Sequence, residues 1–151
     1  MRKQPNSRMC FVCGIENPIG LKAFFYEDDD GRVIVRFTPR EEHQGYPGFV
    51  HGGIISALMD EAIGRAVMPY DIWAVTAKLE LKFRKPVPLG EPVTVIGELV
   101  RMRSRAFEAK GELRLADGTV AVEGYGIYIR LPEEEIERRK AEVDFWEVVP
   151  D

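Results

Sequence analysis

One stretch sets the terms for the whole chain. Between Gly52 and Met68, the residues Ile54, Ile55, Leu58, Met59, Ala62, Ile63, Ala66 and Val67 recur at helical spacing over a broad arc. A helix apolar around so much of its circumference must be buried on more than one side. Pro69 marks its expected end. The residues after it read mainly as strand. From Trp73 to Phe83, Trp73, Val75, Ala77, Leu79, Leu81 and Phe83 alternate with Lys78, Glu80 and Lys82, before Pro86, Pro88 and Gly90 break the run. Val93 to Val100, Phe107 to Leu115 and Val120 to Leu131 follow, with a tight hairpin predicted at Asp117-Gly118. Before the helix, Leu21 to Glu27 and Arg32 to Thr38 flank the turn Asp28-Asp29-Asp30-Gly31. Two strands, one apolar helix and four strands predict an α+β domain. In it an antiparallel β-sheet is wrapped around a central α-helix, one face buried and the other wet.

The rest of the chain adds little to that frame. Its 151 residues suit a single domain over 1–151, with residues 1–20 irregular, 39–50 a loop, and 132–151 a short charged helix (132–142) and a tail containing Phe145-Trp146. A net charge of −4 gives no bulk attraction to nucleic acid or to an anionic membrane. No apolar run reaches the roughly 20 residues of a membrane span, and the N-terminus shows no secretory signal, so the expected location is cytoplasmic. Cys10 and Cys13 form a lone C-x-x-C followed by glycine. Structural thiols are the first reading, zinc the second and a redox pair the third, because zinc usually takes four ligands. No metal is expected.

The entry to the helix, Gly48-Phe49-Val50-His51-Gly52-Gly53, carries no oxygen-bearing cap. Bare N–H groups at a helix start, flanked by glycines, can bind a carbonyl oxygen that gains negative charge during acyl transfer. The plain alternative is a tight turn whose N–H groups face water. Further along, Glu61 has a helix partner in Arg65 four residues later. Asp60 has none, and its helix-surface neighbours Ser56, Ala57 and Gly64 are small. It reads either as a solvated charge or as a carboxylate against which a ligand packs.

The stretch HQGYPGFVHGGIISALMDEAIG, continued by VTAKLELKFRKPVPLG, resembles the PaaI-like branch of the hotdog thioesterases, its Them4-type members included. The resemblance covers most of residues 10–131. Its most specific element is His-Gly-Gly with an acidic residue nine positions after the histidine. It implies hydrolysis of an acyl-CoA thioester in dimers or tetramers, each active site shared between two subunits. It also implies no cofactor, coenzyme A entering as part of the substrate. By position, Asp60 becomes the catalytic carboxylate, as general base or nucleophile. The Gly52 N–H becomes the oxyanion donor, His51 shapes the turn, Gly53 lies against the substrate, and Thr76 positions the water or the carboxylate. On its own alternation Thr76 would be an outward-facing surface threonine. Relatives often carry Asn or Gln six residues before the motif histidine, where this chain has Gly45; the neighbours Gln44 and His43 are the candidates to assist the thioester carbonyl. Arg84 and Lys85 are the first candidates for the coenzyme A phosphates, and Arg101, Arg103 and Arg105 the second.

Two other functions fit the same outline. A hotdog dehydratase acting on hydroxyacyl thioesters would use a loop histidine, for which His43 before Pro47-Gly48 is the candidate. A non-catalytic acyl-CoA binding protein would need no carboxylate at position 60.

Overall fold

In the computed structural model, which describes residues 1–143 and 145–151, the apolar helix is the hub around which the chain is wound. Helix α1 (Gly52–Gly64) lies across an antiparallel sheet. The sheet strands are β1 (Arg2–Lys3), β3 (Phe25–Glu27), β4 (Val33–Phe37), β5 (Ala74–Phe83), β6 (Val93–Met102), β7 (Ala106–Arg114) and β8 (Val120–Arg130). Their order across the sheet is β1-β3-β4-β6-β7-β8-β5. A separate ribbon pairs β2 (Asn6–Ser7) with β9 (Trp146–Glu147), just beyond the charged helix α2 (Glu133–Glu142).

The expected core is the observed one. Ile55, Leu58, Met59, Ala62, Ile63, Ala66 and Val67 are all buried, against Val33 and Val35 of β4, Val93 and Val95 of β6, and Phe107, Ala109 and Leu113 of β7. The helix comes very close to the sheet because a row of glycines runs beneath it. Gly97, Gly111 and Gly124 are cross-strand partners on β6, β7 and β8. A Cβ at Gly97 would stand 2.3 Å from the carbonyl oxygen of Ala62, and one at Gly124 would stand 2.8 Å from the Ile63 side chain.

Four expectations are corrected. Residues 1–20 are not wholly irregular: β1 and β2 pair with β3 and β9. The strand expected from Leu21 begins only at Phe25, because Lys22 takes a left-handed conformation (φ 51°), and Leu21 and Ala23 donate instead to Phe11 and Val12. The α-helix does not run to Met68. It tightens at Arg65 into a 3₁₀ segment (Arg65–Tyr70) that contains Pro69 and ends on Asp71, also left-handed. In β5 the alternation shifts at a bulge between Thr76 and Lys78. The extra residue reverses the facing on one side of it, so Thr76 joins Leu79 and Leu81 on the helix side while Val75 is exposed.

Candidate active site

The helix start is capped after all, by a nitrogen. His51 is the N-cap, and its Nδ1 accepts the Gly53 N–H at 2.8 Å. The His51 carbonyl accepts the N–H groups of Ile54 and Ile55. Of the first four N–H groups of the helix, only that of Gly52 has no acceptor among the described residues. Because Nδ1 accepts, it carries no proton. His51 therefore acts here as scaffold for the turn, and Gly53 offers a ligand no free N–H.

The loop leading into this turn is fixed from several sides. The His51 N–H donates to the His43 carbonyl at 2.8 Å and Val50 N–H to the Val87 carbonyl at 2.9 Å. His43 is 4% exposed; its Nδ1 accepts the Arg40 N–H at 2.9 Å and its ring packs on Phe37. Burial holds its pKa below the usual histidine value. The sequence offered His43 as a carbonyl-assisting or dehydratase residue, and the structure makes it a core histidine of the loop instead. Gln44 stays at the surface and its Oε1 accepts the Gly48 N–H at 2.9 Å. At Gly45 a Cβ would press on the Cα of His51 at 3.0 Å, so the loop leaves little room for a side chain there.

A cavity of about 790 Å³ opens at this end of the helix, lined by Gln44, His51, Gly52, Phe83, Arg84 and Lys85 among others. Arg84 pairs with Glu123 at 2.9 Å on the exposed surface. Arg101 and Arg103 lie at the opposite end of the sheet, on the β6–β7 hairpin, with Glu108 at 3.6 and 3.9 Å. The two basic clusters are thus separated, and Arg84 with Lys85 is the one beside Gly52.

Asp60 sits at the other end of the helix. Its Oδ1 accepts the Thr76 hydroxyl at 2.9 Å and the Tyr128 hydroxyl at 3.1 Å, while Oδ2 has no donor among the described residues. Tyr128 is 3% exposed, stacked on Phe107, with its phenol pKa pushed up by burial and by Asp60. It is therefore a neutral donor at any working pH. Sequence reasoning passed over it, although a tyrosine on the apolar alternation of a strand signals a buried hydroxyl in need of a partner. Asp60, Thr76 and Tyr128 line a second cavity of about 350 Å³.

The same cavity meets Cys10, Cys13, Glu61 and Arg65. The Glu61–Arg65 pair expected on the helix surface is present at 3.0 Å, but Arg65 is only 3% exposed. Burial pushes the Glu61 carboxyl up, and Arg65 opposes it. Both cysteines are free thiols. The hydrogen bond between them lowers the Cys13 thiol, against burial and with help from Arg65 and Ser7, and raises that of Cys10.

One protomer does not bring Gly52 and Asp60 together. Eight residues of helix separate them by about 12 Å, and they open into different cavities. No described helix is long and apolar enough to cross a membrane.

The model of the thioesterase superfamily matches residues 47–122, from the loop before the helix to the first residues of β8. The acyl-coenzyme A thioesterase THEM4 of Mus musculus is 29% identical over 134 residues, 87% of this chain and 58% of that protein. The chain spans about half the length of the curated THEM4 relatives it matches. A crystal structure of a thioesterase superfamily protein is 34% identical, with a TM-score of 0.76 over 80% of this chain and 63% of that one. The PaaI protein of E. coli is 19% identical, with a TM-score of 0.69 over 74% of this chain and 81% of its own, a likeness of fold. The chain belongs to the thioesterase superfamily, with the hotdog fold of its PaaI-like members.

Proposed function

We propose that this chain hydrolyses acyl-CoA thioesters to a free acid and coenzyme A, at a site completed between two copies of the chain. The observation that carries the reading is the state of Asp60. One carboxylate oxygen is held by two hydroxyl donors, and the other faces a cavity with no donor among the described residues. That is the arrangement a general base or a carboxylate nucleophile needs: fixed in direction, with a lone pair available.

The second requirement is a donor for the developing oxyanion, and Gly52 offers the one N–H of the helix start that has no acceptor among the described residues. Since about 12 Å of helix separates the two groups in one copy, a single carbonyl can touch both only if they come from different copies. Edge strand β5 favours such association, because it is ten residues long, pairs only with β8, and exposes Val75 and Phe83. With Asp60 as base, it takes a proton from water as the oxygen attacks the carbonyl carbon. The oxyanion rests on Gly52 N–H, then the C–S bond breaks and the coenzyme A thiolate leaves with a proton. With Asp60 as nucleophile, its carboxylate attacks the carbonyl carbon, the C–S bond breaks to release the coenzyme A thiolate, and water then cleaves the resulting acyl anhydride to free acid and the Asp60 carboxylate. Arg84 and Lys85, beside Gly52, would meet the phosphates of coenzyme A.

The test is release of free thiol from a panel of acyl-CoA esters. Thiol release is expected, and Asp60→Asn should lower kcat by about a hundredfold or more at unchanged fold. Turnover that survives Asp60→Asn overturns the mechanism, and no release from any ester overturns the activity.

A further inference from the structure

The Cys10-x-x-Cys13 turn takes no part in that chemistry, yet it is built with care. Gly14 N–H closes it on the Cys10 carbonyl at 2.8 Å, and a Cβ at Gly14 would stand only 2.4 Å from that oxygen. The buried Asn6 side chain donates to the carbonyls of Cys13 and Ala23 at 2.7 and 3.0 Å, tying the turn to the chain before β3. A turn this fixed presents both sulfurs in one direction. That direction is towards helix α1. The two sulfurs and a Glu61 carboxylate oxygen all lie within 4.8 Å of one another.

We propose that Cys10, Cys13 and Glu61 form a metal site whose donors fit zinc, with its remaining corner towards the cavity it shares with Asp60. Two thiolates and a carboxylate around tetrahedral zinc, with bonds of about 2.3 and 2.0 Å, stand about 3.5–3.8 Å apart, so small side-chain movements close the set. Three protein ligands leave one position for water or a small anion. Charge favours the exchange. Replacing two thiol protons by a dication leaves the net charge of the site unchanged, so burial sets no extra electrostatic penalty.

The surroundings supply what a metal ligand usually has behind it. Arg65 donates through Nε to Glu61 Oε1 at 3.0 Å, orienting the carboxylate and leaving its second oxygen open. Arg65 is itself locked by the Pro5 carbonyl at 2.9 Å and by the rings of Phe25 and Trp146. Its Nη2 is buried and has no acceptor among the described residues, a group that an anionic metal–thiolate cluster beside it would satisfy. The glutamate is adjacent to Asp60 in sequence, so the ion would tie the N-terminal turn to the helix segment that carries the carboxylate.

The experiment uses the whole reduced chain, titrated with Co²⁺ and then Zn²⁺, and needs no turnover. One Co²⁺ per chain is expected, with sulfur-to-cobalt charge-transfer absorption that one equivalent of Zn²⁺ removes. Cys10→Ser and Cys13→Ser should each abolish that absorption, and Glu61→Gln, which keeps both thiols, should weaken Co²⁺ binding tenfold or more. Far-UV circular dichroism checks that each variant is folded. Absence of the charge-transfer band in the folded reduced chain overturns the site, as does unchanged affinity in Glu61→Gln. Recovery of a Cys10–Cys13 disulfide whose reduction brings no metal binding overturns it in favour of a redox pair.

Discussion

Tyr128 shows how a single side chain can matter to a site without meeting the substrate. Its hydroxyl donates to Asp60 Oδ1 at 3.1 Å and to the Asp60 carbonyl at 3.2 Å, from a position otherwise enclosed by the core. Tyr128 and Thr76 both donate to the Asp60 carboxylate, and in the proposed hydrolysis both act as positioning residues. A hydrogen bond to a charged group contributes about 1.5–3 kcal/mol, and 1.4 kcal/mol is tenfold in rate. Tyr128→Phe should therefore lower kcat about tenfold with KM little changed, and Thr76→Ala should do the same. Thr76→Ser, which retains the hydroxyl, should restore most of the rate. Steady-state kinetics on an acyl-CoA ester reads all three. A fall in stability with kcat intact would make Tyr128 a packing residue only. The sequence singled out Asp60 as the candidate carboxylate because Glu61 had a helix partner in Arg65 and Asp60 had none. Of the two donors the structure puts on it, Thr76 was named only through the resemblance, because its facing depends on a bulge, and Tyr128, on a strand 68 residues away, was not named.

At the level of elements, the strand and helix periods were readable because burial imposes them. The helix's broad apolar arc and the alternation in Phe107, Ala109, Gly111 and Leu113 describe the same packed surface from its two sides. The bulge in β5 and the left-handed Lys22 were hidden, since neither carries a glycine or proline to announce it. His43 misled for a related reason: a loop histidine looks available until the loop is seen folded over its own core. The glycine row was in plain sight but has meaning only once register aligns Gly97, Gly111 and Gly124. Gly97 is the tightest of them, since the atom it faces is backbone of the helix and cannot rotate away. Gly97→Ala should cost about 3 kcal/mol, in the range of overpacked cores. For a chain of this size that lowers Tm by about 6–12 °C. Gly118→Ala, at a turn with φ 88° and nothing within 4 Å, should cost only about 1 kcal/mol. Thermal unfolding of the pair separates close approach from backbone strain; equal losses would remove the glycine row from the account.

For the molecule as a whole, the helix's length has one consequence for the proposed hydrolysis: Gly52 and Asp60 of one copy stand too far apart to meet the same carbonyl. Gly52 is the first residue of the helix, and His51 before it is extended (φ −61°, ψ 135°), the conformation that tolerates a following proline. A Cβ at Gly52 meets only the Phe83 ring, at 3.9 Å. Gly52→Pro should therefore remove the donor N–H and little else, lowering kcat about 10²–10³-fold. Asp60→Asn removes the other half. If each site takes Asp60 from one copy and Gly52 from another, a heterodimer of these two variants contains one fully intact site and one with both groups lost. Equal mixing by unfolding and refolding makes about half of the dimers mixed, so about a quarter of the wild-type rate should return from two nearly inactive proteins. If both groups acted within one copy, every site in the mixture would lack one of them, and no rate would return. The proposal turns on helix geometry: if both groups serve one carbonyl, a span of about 12 Å has to be closed between two copies.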